Sequence, residues 1–450
     1  MKSLKKLILL SLITVLTNGI SGQVITLPAC IDSALTNKGN IKAARTDYLI
    51  AKLQTSSVYQ KYLPDLSFNY NYRYNPVIPA QIIPVGQFNP VPTDEKRAIK
   101  FGTEWQQNAG LTLYQPLTDF SIRSRLAESR INEKLKSTDI YAAETELKLE
   151  VIKTFVNIWI LKEQLNSALL DTTRSFSTKE LLLIKYQEGK VLKTDVNKAI
   201  LNHNNTLSDY AAAASAYIRE KLYLSFLTGI TPGKLLENSF DFSPLKENFI
   251  KTEYSKPLFD SIPSVRNIMI RSELTRQQQR SEKMKNYPIL GFDGFLGTVQ
   301  YTDSFKPFLM ENCYGNSYLG LNLKFRILSE NNTGNRIKQL KLEQSRLSSS
   351  LDDEINNINN KSLSLIEDIK QLKFQAELSE INIRLYEENL LLNRERFEKG
   401  QLNVYDLLND EIDFRKEQSR LNWKKAELIH KQIDLINNTG SLSLFIETLR

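Results

Sequence analysis

Proline and glycine are spaced along this chain in a way that few folds accommodate. Of 14 prolines, none falls within 117–231 or 308–450, and the only glycines within 117–231 are Gly189 and Gly229. From residue 335 onward the only glycines are Gly400 and Gly440. Proline removes a backbone donor and glycine costs helix stability. A long run free of both, one glycine, a second such run and a closing glycine therefore describe a long helical hairpin. Gly189 and Gly400 lie 211 residues apart, as do Gly229 and Gly440, and as do Asp195 and Asp406. The segments Tyr186–Asp195 (YQEGKVLKTD) and Phe397–Asp406 (FEKGQLNVYD) share an aromatic residue, two polar residues, Gly and a later Asp. One offset held by three landmarks indicates an internal duplication of long period.

That duplication leaves room in 450 residues for one two-fold-repeated architecture. Lys2, Lys5 and Lys6 precede the apolar run Leu7–Leu16 and a stretch ending at Gly22, a sequence of export-signal type. No later run approaches the ~20 apolar residues of a spanning helix, which leaves membrane β-strands open. The formal charge is +8, and loss of the three signal lysines would reduce it to +5. Lys and Glu are interspersed along the helical runs, which argues for solvated faces and against nucleic-acid binding. Cys30 and Cys313 are the only cysteines. Leu27-Pro-Ala-Cys30 superficially resembles a lipid-attachment motif, but it opens an amphipathic helix and lies well beyond the apolar run.

Periodicity fills in the rest. Leu66, Phe68, Tyr70, Tyr72 and Tyr74 alternate with Ser67, Asn69, Asn71 and Arg73, a two-residue period. Residues 75–105 hold five prolines and no period, and read as a long exposed loop. Ala109, Leu111 and Leu113 make a second strand. Leu319, Leu321, Leu323, Phe325 and Ile327 alternate with Gly320, Asn322, Lys324 and Arg326, which suits a wall with lipid on one side and water on the other. Leu351, Ile355, Ile358, Leu365, Ile369 and Leu372 form a heptad stripe of coiled-coil type.

The expected organisation is a signal peptide at 1–22, a first repeat at 23–229, an irregular connector at 230–262, a second repeat at 263–440 and a tail at 441–450. Repeat 1 holds a helix at 25–62, strands at 63–74 and 107–117, and a hairpin at 121–229 with its tip at Gly189. Repeat 2 holds a helix at 265–286, strands at 287–301 and 317–328, and a hairpin at 335–437 with its tip at Gly400. The fold class is mainly α with a membrane β-barrel part. Four strands are too few to close a barrel, for which about eight is the practical minimum, so copies must pool their strands.

With YLPDLSFNYNY entering the first strand, GLTLYQPL in the second, the duplicated Gly tips and the Thr-Gly endings at 229 and 440, the chain resembles the TolC-like outer-membrane efflux proteins. The resemblance implies a homotrimer with a 12-stranded barrel and a periplasmic tunnel of long helical hairpins. It implies an outer-membrane exit duct of a Gram-negative tripartite efflux pump or type I secretion system. The partners would be a periplasmic adaptor, an inner-membrane pump of RND or ABC type, and outer-membrane lipid, with no cofactor and no enzymatic step.

The resemblance also assigns residues. In the family two aspartates after the second tip ring the entrance and bind cations; the first corresponds to Asp406, whereas the second position holds Asn409. A Thr-Asp pair in the first tip, Thr194 and Asp195 here, is latched in the family to a Tyr and an Arg in the second. Phe397 and Leu402 occupy those positions and offer neither hydroxyl nor guanidinium, so the entrance must be held by other means or more loosely. Adaptor-contacting tips correspond to Glu188, Gly189, Lys399 and Gly400, with Glu188 and Lys399 where the family often has Val. On residue type alone, Asp195 and Asp406 are equally suited to capping the returning helices.

Enzyme readings find little support. His203 and His430, the only histidines, do not share the repeat offset and have no metal-ligand spacing. Gly229-Ile-Thr-Pro-Gly233-Lys234 is one residue short of a P-loop, and Leu235 replaces its Ser/Thr. The competing functional readings are a periplasmic adaptor and a coiled-coil scaffold.

Overall fold

A computed structural model describes residues 24–88, 90–91, 93–245, 256–309, 311, 313–325 and 333–449. The expected signal peptide, and the end of the strand expected over 317–328, lie outside these. The elements run α1 (Leu27–Asn37), α2 (Gly39–Gln60), β1 (Asp65–Tyr74), β2 (Ala80–Ile83), β3 (Arg97–Lys100), β4 (Trp105–Thr118), α3 (Phe120–Gln187), α4 (Lys193–Thr228) and α5 (Pro232–Glu237). They continue with α6 (Pro263–Met284), β5 (Ile289–Thr302), β6 (Cys313–Lys324), α7 (Thr333–Glu398), α8 (Val404–Asn438) and α9 (Leu442–Thr448). The fold class is the expected one: helical hairpins with arms of 68 and 66 residues and a four-stranded sheet.

The chain divides into two compact units, Tyr48–Leu135 with Ile270–Ser348, and the remaining residues. Each unit takes segments from both repeats. The duplicated halves therefore fold alongside one another and do not form separate bodies.

In the first unit the sheet is antiparallel in the order β1–β4–β5–β6. Pairing of Phe68 with Leu111, Leu111 with Leu296 and Leu113 with Gly294 puts one apolar row set on a single face. Leu319, Leu321 and Leu323 join it through their β5 partners. Phe68, Leu111, Leu296, Leu319, Leu321 and Leu323 are 42–78% exposed and Leu113 is half-buried, so that face covers no core. The other face carries Asn69, Arg73, Thr112, Asn108, Asp293, Asn322 and Lys324, as the alternation requires.

The helices entering and leaving this sheet lie side by side in the same order. Thr55 and Ser129 hydroxyls join α2 to α3 at 2.9 Å, Gln277 donates from α6 to Ser124 on α3, and Gln279 donates from α6 to the Leu340 carbonyl of α7. Among the described residues β1 and β6 are the open edges of the sheet.

Three segments with no expected helix or strand contain one. The loop between β1 and β4 contains a hairpin, β2 paired with β3 from Ala80–Lys100 to Ile83–Arg97. The connector begins with a helix, α5, whose Leu235 is fully buried, and the tail forms α9 with Leu442, Phe445 and Ile446 buried. Sequence patterns miss both because each spans only six or seven residues and is stabilised by tertiary burial.

In the second unit that burial builds one core. Phe155, Ile152, Ile158, Leu224, Leu227, Leu235, Phe240, Phe242, Leu442 and Phe445 pack together, with the Phe155 ring edge-on to Phe240 and Phe242. Cys30 lies inside it, fully buried, and burial pushes its thiol up to about 12. Just before Cys30, Ile25 pairs with Phe240 through its amide to Ser239 (2.9 Å) and its carbonyl to Asp241 (3.1 Å). Residues 24–30 are thus built into the fold, and Cys30 acts as a small apolar core residue.

Candidate functional site

The tips of the two hairpins form the candidate site. Each closes with the same backbone device. Gly189 and Gly400 have φ of +73° and +72°, left-handed values that L side chains resist. The Lys190 amide reaches back to the Lys185 carbonyl, and the Gln401 amide to the Arg396 carbonyl, both at 2.8 Å, a Schellman closure. Nothing lies within 4 Å of a Cβ built on either glycine, so backbone conformation alone selects glycine there.

The returning helices start differently. Neither aspartate is the N-cap. At the first tip the cap position is Leu192, which has no acceptor, and the Asp195 carboxylate accepts from the Leu192 amide (3.3 Å). At the second tip Asn403 is the cap and its Oδ1 accepts from the Asp406 amide (2.8 Å). Asp195 therefore fills a capping role, whereas the exposed Asp406 is relieved of one. Thr194, Gly189, Gly400 and Lys399 are also exposed, and Asn409 is half-buried. Glu188 pairs with Lys190 (2.7 Å), and that hydrogen bond holds the Glu188 carboxyl below its usual range.

A cleft of about 610 Å³ separates the tips, lined by Lys185, Leu192, Asp195, Phe397, Lys399 and Leu402 among others. It brings Asp195 together with Phe397 and Leu402. Beneath it an apolar plug of Leu182, Val196, Ala199, Phe397, Val404, Leu407 and Leu408 joins the hairpins, with Leu402 packed against it. Phe397 is 4% exposed.

The bond between the tips comes from a residue that sequence reasoning passed over. Lys185 Nζ, on the last turn of α3, donates to the carbonyls of Phe397 (3.0 Å) and Glu398 (3.3 Å) at the end of α7. It also sits 4.5 Å from the centre of the Phe397 ring. An ammonium at the negative end of a helix satisfies orphan carbonyls and meets the helix dipole favourably. The duplication held a signal: the residue 211 further on is Arg396, a second cation. Only the structure tells which of the two crosses.

One layer deeper lies a buried carboxyl, Glu411, 7% exposed. It accepts from Thr178 Oγ1 on α3 and from Asn202 Nδ2 on α4 (3.3 Å). Burial pushes its carboxyl above the usual range, against the Thr178 hydrogen bond and the charges of Arg174, Arg394 and Arg415. Nearby, Arg174 bridges to Asp171 (2.8 Å) and lies 4.5 Å from the Phe414 ring centre. Glu411 too had a faint signal: its repeat mate is Ile200, so an acid replaces a half-buried apolar residue.

Among the described residues no group of three His, Cys, Asp or Glu side chains is placed to hold a metal ion, and no helix is long and apolar enough to cross a membrane.

No family model and no curated protein matches the sequence. Solved structures do match the fold. The CusC transmembrane channel aligns with TM-score 0.74 over 92% of this chain and 91% of its own, at 13% identity. The CmeC outer-membrane channel of Campylobacter jejuni aligns with TM-score 0.71 over 94% and 89%, at 16% identity. The open state of the Neisseria gonorrhoeae MtrE outer-membrane channel aligns with TM-score 0.69 over 92% and 89%, also at 16% identity. The chain has the fold of these channels, the one that the resemblance implied.

Proposed function

We propose that this chain is an outer-membrane exit duct of the TolC-like type in a Gram-negative bacterium. A homotrimer would pass substrate passively when docked to a periplasmic adaptor and an inner-membrane pump, or within a type I secretion system. One observation carries the reading: a four-stranded sheet with an exposed apolar face, a polar face and two unpaired edges. Such a sheet is unstable alone in water, and in lipid its open edges would strand backbone donors and acceptors. Three copies supply 12 strands, above the practical minimum for a barrel with the apolar face outward. The channels of like fold support the same reading.

In that duct the Gly189 and Gly400 tips mark the entrance. Thr194 and Asp195 line it on one hairpin, and Asp406 supplies one carboxylate per chain, with Asn409 leaving the ring at three charges. Glu188 and Lys399 would meet the adaptor. The pump supplies the energy, so the duct needs no catalytic group. Fractionation tests the reading: heat-modifiable trimers are expected in the outer membrane. Recovery as a monomer from soluble periplasm alone would favour an adaptor or scaffold and end the duct proposal.

A further inference from the structure

The positive charge of this chain is concentrated at one end of the sheet. Four helical segments join the strands there: 52–62 before β1, 119–130 after β4, 276–287 before β5 and 333–343 after β6. Together they carry twelve Lys and Arg against four Asp and Glu, a net +8. The whole chain is also +8, so everything else sums to zero. Eleven of the twelve cations are exposed, and the half-buried one, Lys285, pairs with Glu282 at 2.7 Å. At the opposite end of the sheet, residues 75–104 hold three cations and three acids, and 303–312 hold one cation and two acids. That end has no excess of positive charge.

The collar borders the apolar sheet face directly. Phe120 and Tyr287, 40% and 50% exposed with ring centres 5.4 Å apart, lie where helix gives way to strand. An apolar band, then an aromatic pair, then dense exposed cations is the order of chemistry met when crossing from hydrocarbon through the headgroups of an anionic leaflet. Within the collar a cleft of about 430 Å³ is lined by Arg125, Lys285 and Arg336 with Ser121 and Ser281 and by the carboxylates Glu128 and Glu282, the latter paired with Lys285, and Arg125 donates to Ser121 Oγ (3.1 Å). Guanidinium groups suit phosphate oxygens through paired donors.

We propose that this collar is a binding surface for anionic phospholipid headgroups, on the leaflet at the helix-joined end of the sheet. The inference rests on the reading that the sheet is membrane-inserted. The lack of excess positive charge at the far end makes the contact one-sided, so the lipid charge also sets which way the sheet sits.

The test uses the purified full chain reconstituted into vesicles of phosphatidylcholine mixed with about one-third phosphatidylglycerol, with spin-labelled versions of each lipid. The anionic lipid should associate about fivefold more strongly than the zwitterionic one, as expected for roughly one effective cation contact per headgroup. The preference should collapse in 1 M salt, where the Debye length is about 3 Å. It should also fall to about twofold in Arg123→Gln/Arg336→Gln/Lys338→Gln, which lowers the collar's net charge without abolishing it. Insertion with no preference, or a preference unchanged in that variant, would overturn the collar alone. Failure to insert into either vesicle would overturn the membrane reading along with it.

Discussion

At the scale of single residues, two side chains separate the tips from what their glycines share. Lys185 crosses between the tips by binding carbonyls, which every residue provides, so the contact needs no matching hydroxyl or guanidinium on the second tip. Lys185→Met keeps the aliphatic stem and removes the donors. It should cost about 1 kcal/mol at this half-exposed site and speed amide exchange at Gly400 and Gln401 about fivefold. Unaltered exchange would mean that the bond does not hold the tips together. Asp406, freed of capping by Asn403, should give up its role to Ala with a measurable effect: divalent block of single-channel current weakens in Asp406→Ala. A block identical to the parent's would remove Asp406 from the entrance.

At the scale of elements, the glycine pairs look equivalent in sequence but differ in packing. A Cβ at Gly400 meets nothing, whereas at Gly440 it would sit 2.9 Å from the Leu258 carbonyl oxygen and 3.0 Å from Ile262. Gly400→Ala should therefore cost about 1 kcal/mol, from backbone strain alone. Gly440→Ala should cost clearly more, because a backbone carbonyl cannot yield like a side chain. Denaturant midpoints of the two variants would rank them, and equal losses would deny the difference.

The junction of α3, α4 and α8 makes a second prediction. The folded chain holds the Glu411 proton more tightly than the unfolded chain does. Its contribution is therefore full at low pH and is lost as pH rises from about the ordinary value of 4.5 through the raised one. Glu411→Gln should remove that loss and gain about 1 kcal/mol at neutral pH, with little change in acid. A variant that keeps the parent's pH slope would show that this carboxyl is not the titrating group.

At the scale of the whole molecule, the two faces of β6 should respond in opposite ways. Leu321→Arg puts a charge on the apolar face, at a cost of about 2–4 kcal/mol within a bilayer. Asn322→Arg lies on the polar face beside Gly291, its β5 partner, and should be tolerated. The yield of heat-modifiable trimers would report the contrast, and equal yields would mean that neither face meets lipid. The division into compact units belongs to this scale too. Each unit combines like parts of both repeats, so the duplication sets the content of each unit without setting its boundary.

What the amino-acid order determined by itself were properties that depend on near neighbours. Two-residue alternation named both faces of the sheet, long stretches without Pro or Gly named the helices, and glycine at one repeated offset named four left-handed turns. Tertiary structure decided what depends on residues far apart in the chain. Whether Lys185 or its mate Arg396 crosses to the other tip, whether Glu411 is buried, and whether the segments after Gly229 and Gly440 pack or trail depend on which surfaces meet. A short helix such as α5 or α9 is too brief to be stable without the core it covers, so its own sequence does not announce it.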